Sequence, residues 1–290
     1  MRRQHADEAP RIGPDTVSES IRPQPARPGP HDPKGTTDMT AFTTSRNAGT
    51  GAWVRRFRPA PEAPHRMVCF PHGGGSASFY VPVARALAPG VDVLAIQYPG
   101  RQDRRHEPCV DSVHGLADAL VEELRDWFDR PVSFFGHSLG ASVAYEVARR
   151  FEQRGQVLHH LFVSGRRAPS VVRDERVHLL DDEGLIADIT RLSGTDTRVL
   201  GDPDLLRMAL PSIRADYRAA ETYRPVPGPL LSSPLTALTG DDDPRVTLDE
   251  AGAWAEHSAG PFDLKVFSGG HFYLNAQAPA VLSALRARLG

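Results

Sequence analysis

The run Val132-Ser133-Phe134-Phe135-Gly136-His137-Ser138-Leu139-Gly140-Ala141-Ser142 places Gly-x-Ser-x-Gly between an apolar, strand-like stretch and a helical one. A serine on so sharp a strand-to-helix turn has a strained backbone and a presented hydroxyl, and glycines two residues to either side prevent clashes with the adjoining strand and helix. The helix amino end adds a positive dipole beside the oxygen. Such a hydroxyl becomes a nucleophile only with a base, itself oriented by a carboxylate, and the chain order on this architecture is serine, acid, histidine. Downstream lie His159, His160, His178, His257 and His271. His271 follows the last strand-like run in Gly269-Gly270-His271, so a loop delivers it to the carboxyl edge of a sheet. His159 and His160 precede a strand, His257 sits in a helical pattern, and His178 opens a different segment.

The acid should close the preceding strand, where Gly240-Asp241-Asp242-Asp243-Pro244 offers three aspartates. Asp243 is the choice, because the proline forces its predecessor out of helical geometry just before a helix. Asp241 and Asp242 read as turn-forming or solvent-facing. An oxyanion site is expected after the first long strand, in Phe70-Pro71-His72-Gly73-Gly74-Gly75-Ser76. Amides there are unblocked by side chains; one donor is expected at Gly73 or Gly74 and the other at Leu139, with His72 bracing the loop. No Gly-Lys-Ser/Thr follows, which disfavours a nucleotide loop, and no His-Glu-x-x-His spacing calls for a metal.

These residues need a scaffold. Strands are predicted at Met67 to Phe70, Val91 to Gln97, Val132 to Phe135, Leu158 to Val163, Leu235 to Leu238 and Leu264 to Phe267, with an edge strand within Trp53 to Arg58. Leu116, Leu120, Val121, Leu124, Trp127 and Phe128 share one helical face; further helices should begin at Ser138 and near Leu248, and Val281, Leu282, Leu285 and Leu289 mark the last. Continuous apolar strands alternating with helices imply a doubly wound α/β fold whose mostly parallel sheet is covered on both sides. Residues 173–223 carry no strand signal and read as an inserted helical cap, or lid, over the carboxyl edge. Its apolar positions, including Leu185, Ile189, Leu205 and Leu206, need a partner surface and are expected to set which substrates fit.

Composition narrows the function classes. The 290 residues are 40% apolar and 24% charged, with 34 basic against 36 acidic side chains and a formal charge of −2. No basic excess exists to hold nucleic acid. No stretch approaches the ~20 apolar residues of a membrane span. The start, MRRQHADEAP, lacks the apolar region of a secretory signal, and Cys69 and Cys109 do not make a disulfide framework, so a cytoplasmic protein is expected. Residues 1–45 are Pro-rich, with almost no aromatic residues, and read as a disordered tail; Met39 could open a shorter chain. The folded domain is expected to be 51–290.

Taken together, Phe70-Pro71-His72-Gly73-Gly74-Gly75, Tyr98-Pro99-Gly100-Arg101, Gly136-His137-Ser138-Leu139-Gly140, Ser164-Gly165-Arg166-Arg167-Ala168-Pro169, Gly240-Asp241-Asp242-Asp243-Pro244 and Gly269-Gly270-His271-Phe272-Tyr273 occur in the order found in type II thioesterases. The resemblance spans roughly Trp53 to Leu289. One departure is Gly73, where the family usually has alanine; either residue offers its amide. The resemblance implies an α/β-hydrolase fold and an editing enzyme of polyketide and nonribosomal peptide synthesis. Such an enzyme hydrolyses misprimed or stalled acyl groups from the phosphopantetheine arm of acyl or peptidyl carrier proteins, through a Ser138 acyl-enzyme. It also supports Asp243 as the acid. A monomer is expected, with no cofactor beyond the phosphopantetheine that the substrate carries. The alternatives are a general carboxylesterase or lipase-like hydrolase and a non-catalytic carrier-binding protein. Arg101, Arg104, Arg105, Arg166 and Arg167 all follow strands; either they pair with cap acids such as Asp174, Glu175, Asp181 and Asp182, or as a cationic rim they would attract a carrier protein and its phosphate, with Arg166, Arg167 and Arg101 the expected substrate or carrier contacts.

Overall fold

The computed structural model describes residues 51–192 and 202–289. The tail reading for 1–45 and the central stretch of the cap, 193–201, lie outside the described residues. Seven strands form one sheet: β1 (Val54–Arg55), β2 (His65–Phe70), β3 (Val91–Ile96), β4 (Val132–His137), β5 (His160–Ser164), β6 (Leu235–Gly240) and β7 (Phe262–Phe267), in the spatial order β1-β3-β2-β4-β5-β6-β7. Only β1 runs antiparallel, pairing Val54 with Ile96 and Arg55 with Ala95. The other neighbours are parallel. Every residue of β2, β3, β4, β5 and β6 is buried, as expected of strands covered on both faces, whereas β7 at the outer edge is half-exposed.

Two apolar layers flank the sheet. One joins Val68, Phe70, Leu94, Phe134 and Leu161 to α2 (Val113–Leu124) and α3 (Leu139–Gln153). The opposite one joins Met67, Cys69, Val93, Phe135 and Phe162 to α1 (Val81–Leu87) and α8 (Ala278–Leu289). Helix α1 had no place among the predicted elements, although Tyr80, Ala84 and Leu87 recur at helical spacing and are all buried. The periodic face from Leu116 to Phe128 is real, but its α-helix ends at Leu124 and a 3₁₀ turn, Arg125–Trp127, carries it onward. Ser112 starts that helix, its hydroxyl accepting from the Gly115 amide at 3.1 Å. Among the described residues no helix is long and apolar enough to cross a membrane.

Between β5 and β6 the chain builds α4 (Asp182–Leu192) and α5 (Pro203–Thr222). Leu185, Ile189, Leu206, Leu210 and Ile213 form a small core of their own there. One expectation changes: Leu205 is 46% exposed and belongs to the solvent face. Beyond β6 come α6 (Leu248–Gly252), begun by a Thr247–Glu250 capping box, and α7 (Tyr273–Ala276) behind the His271 loop.

Candidate active site

Ser138 stands at the tip of β4 with φ 54° and ψ −118°, a left-handed conformation that costs a non-glycine residue on the order of 1–3 kcal/mol. Packing enforces it. The Ser138 amide donates to the Ser164 carbonyl at 2.8 Å, and the turn is pressed so tightly between strand and helix that side chains are excluded. A Cβ on Gly136 would lie 2.2 Å from the Gly140 carbonyl oxygen, and one on Gly140 would lie 2.1 Å from that of Phe70. The glycine spacing is therefore a packing requirement of β2, β4 and α3.

His271 and Asp243 meet beside this turn. The His271 Nδ1 is 2.9 Å and 3.1 Å from the two Asp243 carboxylate oxygens, and the Asp243 side chain is fully buried. Asp243 also accepts the Arg245 amide at 2.8 Å, which fixes the carboxylate after Pro244. Asp241 instead accepts the Gly269 amide at 2.8 Å and Asp242 is exposed. The remaining histidines are engaged elsewhere: His160 with Thr236, His159 with the Arg288 carbonyl, His257 with Tyr145 and Ser170, and His178 with Glu221.

Ser138 and His271 line one cleft with His72, Gly73, Gly74, Leu139 and the cap residues Ile189, Leu192, Ile213 and Tyr217, about 770 Å³ in extent with its open mouth included. Of the four cap positions singled out from sequence, Ile189 reaches this cleft; Leu185 and Leu206 are spent on the cap's own core. Among the described residues the amides of Gly73 and Leu139 find no protein acceptor, and both residues face the cleft. The Gly74 amide is engaged by the Asp216 carboxylate at 2.7 Å, whereas the Gly73 amide is left facing the cleft. Alanine would fit at Gly73, since its Cβ would meet only the Asp216 Cβ, at 3.5 Å.

The arginines depart from the expected rim. Arg101 is buried against Asp216, and Arg104 is buried with its guanidinium on Glu107 and over the Trp53 ring. Arg167 pairs with Glu175 at 2.6 Å, and Arg245 joins Glu175 to Asp188. Arg166 donates to the Ser142 hydroxyl at 3.0 Å and the Ala220 carbonyl at 2.6 Å; burial and the neighbouring Arg167 push its pKa down to about 10. Of the five, Arg105 is exposed, so a cationic rim facing solvent does not form. Arg166 and Arg167 do line the cleft, as internal wall groups, and Arg101 does not. Position after a strand marked their location correctly but could not reveal partners such as Asp216, which lies 115 residues away.

Two more histidines surround His271. The His137 ring lies 5.1 Å from His271 and 6.0 Å from His72, and the rings of His72 and His137 pack edge-on against Phe272. Burial pushes His72 down to about 3 and His137 well below its usual value, with the charge of His271 a further cause for each. Both therefore stay neutral beside His271 near pH 7. Because each pKa is lower folded than unfolded, the unfolded chain binds more protons as pH falls below about 6.5, down to about 3 for His72, and stability is lost as pH falls through that window. For His72 the slope approaches about 1.4 kcal/mol per pH unit there, and His137 adds in the same direction. Urea unfolding at pH 7, 6 and 5 should show the free energy dropping by at least about 1 kcal/mol over the last step; a flat profile would mean that these rings take up protons in the folded state.

Comparison with known proteins agrees with this geometry. Residues 65–289 match the Thioesterase domain family. The chain is 53% identical to the thioesterase PikA5 of Streptomyces venezuelae over 233 residues, 80% of this chain and 83% of that one. It is 54% identical to BorB, a type II thioesterase from the borrelidin biosynthetic cluster, covering 84% of this chain and all of that one with a TM-score of 0.80. It is 37% identical to RedJ, the thioesterase of the prodiginine pathway in Streptomyces coelicolor, covering 79% and 87% of the two chains with a TM-score of 0.74. A serine elbow, a buried histidine–carboxylate pair at the same cleft and this kinship lead to one conclusion: the chain is a thioester hydrolase of the α/β-hydrolase fold and belongs to the Thioesterase domain family.

Proposed function

We propose that this enzyme removes misprimed or stalled acyl groups from the phosphopantetheine arm of acyl or peptidyl carrier proteins during polyketide or nonribosomal peptide synthesis. The observation that carries the chemistry is the buried Asp243–His271 pair at the cleft that presents Ser138. Relatives named as thioesterases of the borrelidin and prodiginine pathways support the substrate class.

In the proposed reaction His271 Nε2 takes the Ser138 proton as the hydroxyl oxygen attacks the thioester carbonyl. The Oγ–C bond forms, the carbonyl electrons move to oxygen, and the Gly73 and Leu139 amides hold that oxyanion. Collapse breaks the C–S bond, and the thiolate leaves with the proton from His271. Water, deprotonated by the same ring, attacks the acyl-Ser138 ester; the C–Oγ bond breaks, His271 returns the proton to Oγ, and the carboxylic acid leaves. Asp243 keeps the ring in the tautomer whose Nδ1 carries hydrogen and Nε2 is free to accept. The steps need no cofactor of the enzyme's own.

Triad chemistry alone does not separate thioesters from oxygen esters, so the test compares an acyl-pantetheine thioester with its matched oxygen ester and then uses carrier-bound chains of graded length. The thioester is expected to be favoured at least tenfold in kcat/KM. Equal or reversed preference would turn the assignment toward a general carboxylesterase. In the same assay Ile213→Trp should shift the chain-length profile toward shorter acyl groups. Each methylene is worth at most about 1–3 kcal/mol in such a wall, so the parent profile should be broad. A profile unmoved by Ile213→Trp would place the acyl chain elsewhere.

A further inference from the structure

Asp216 lies on the buried face of α5, one turn beyond Ile213, and its side chain is 1% exposed. Its Oδ2 accepts from Arg101 Nη1 at 2.6 Å and from the Gly74 amide at 2.7 Å, while its Oδ1 accepts from Arg101 Nη2 at 2.8 Å. Arg101 Nη1 also donates to the Gly75 carbonyl at 3.0 Å. One ion pair therefore grips the glycine loop at two successive residues, by an N–H on one and a C=O on the next. The loop's own bond, Gly75 amide to His72 carbonyl at 2.9 Å, closes the turn between these grips. Gly74 has φ +75°, a conformation natural to glycine, and a Cβ there would stand 3.0 Å from Ile213, so helix and loop are in close contact.

The consequence falls on Gly73. Its C=O and the Gly74 N–H belong to one peptide plane, so fixing the Gly74 amide on Asp216 fixes the far side of Gly73 as well. The Gly73 N–H is left to the cleft. An oxyanion donor works within about 2.7–3.1 Å of the developing charge, and a displacement of about 1 Å costs up to about a hundredfold in rate. A buried ion pair is by itself weak evidence for stability, because apolar replacements of similar volume are often neutral. What apolar groups cannot supply is an acceptor for the Gly74 amide.

We propose that Asp216, seated by Arg101, is a positioning residue for the oxyanion hole: it holds the Gly74 peptide so that the Gly73 amide faces the thioester oxygen, and thereby makes the docking of cap helix α5 a condition for turnover. This rests on the reading of Gly73 and Leu139 as the oxyanion donors of a Ser138 hydrolase.

The test uses the full chain and a pair of inhibitors that share the pantetheine arm. One is a trifluoromethyl ketone, to whose carbonyl Ser138 adds to give a hemiketal oxyanion as its proton passes to His271. The other is the corresponding thioether, which has no carbonyl. The double variant Arg101→Met with Asp216→Leu removes both charges together and leaves none buried alone. It is expected to melt within a few degrees of the parent, to keep KM and thioether affinity within threefold, and to lose 30- to 100-fold in both kcat and ketone affinity. Asp216→Asn keeps an acceptor for the Gly74 amide and should retain kcat within tenfold of the parent; it also provides the measurement should the double variant fail to fold, through a ketone-to-thioether affinity ratio lowered severalfold. Parent-like kcat in the folded double variant, equal weakening of both inhibitors, or an unchanged ratio in Asp216→Asn would overturn the positioning role. A parent enzyme that neither cleaves acyl-pantetheine nor prefers the ketone would instead overturn the hydrolase reading beneath it.

Discussion

Ser138→Ala is expected to lower turnover of an acyl-pantetheine thioester by on the order of a millionfold while leaving the melting temperature close to that of the parent. In the proposed mechanism that hydroxyl is the atom that forms the acyl-enzyme, and without it His271 and Asp243 have nothing to act upon. The fold should not notice. Ser138 is held by main-chain bonds, its amide to the Ser164 carbonyl at 2.8 Å and its carbonyl to the Ala141 amide at 3.0 Å, and alanine makes both. The left-handed φ of 54° is equally costly for serine and alanine, so the strain term cancels. Thiol release by the variant within a few-fold of the parent, measured with a thiol-reactive dye, would remove Ser138 from the chemistry. A large drop in melting temperature would show that the hydroxyl has a structural partner as well.

Legibility in the sequence followed the range of the forces involved. The Ser138 turn was readable because strand, glycines and helix lie within eleven consecutive residues, and the close approaches at Gly136 and Gly140 are dictated by those neighbours and by β2. That the sheet is mostly parallel was readable as alternation of apolar runs with helices, since burial on both faces removes polar residues from a strand, whereas the spatial order of the strands was not. Asp243 was separable from Asp241 and Asp242 by the backbone restriction that Pro244 imposes, and the structure gives that side chain the buried position beside His271. Long-range pairing was not readable. Arg101 and Arg104 lie on the carboxyl side of β3, as their sequence places suggest, yet Arg101 turns inward to Asp216, a partner that no local pattern specifies, while Arg104 pairs locally with Glu107. One signal was present and unused: Asp216 stands on the same face of α5 as Ile213 and Ala220, and an acid on an apolar face requires a buried cation or donor. The cap positions show the same limit, for Leu205 and Leu206 are adjacent apolar residues of which only Leu206 is buried.

Asp243→Asn should leave the site assembled and nearly silent, with kcat reduced about 10⁴-fold. The carboxylate receives the His271 Nδ1 hydrogen through oxygens at 2.9 Å and 3.1 Å, and both oxygens are acceptors. An asparagine amide presents one acceptor and one NH₂ donor. If the NH₂ faces the ring, Nδ1 must become the acceptor and the hydrogen moves to Nε2, the atom that has to take the Ser138 proton. If the amide oxygen faces the ring, the tautomer survives, but the negative charge that stabilises the imidazolium in the transition state is gone. Either geometry weakens the base without removing a large group from the core, so binding should persist and KM should change far less than kcat. The Arg245 amide, which donates to Asp243 Oδ1 at 2.8 Å, competes for the amide oxygen of the asparagine and so favours the arrangement in which NH₂ meets the ring. Residual turnover of the variant should therefore rise with pH as hydroxide replaces the lost base. A variant with kcat within tenfold of the parent at pH 7 would show that His271 is oriented by the loop alone, and would transfer the role of Asp243 from chemistry to packing.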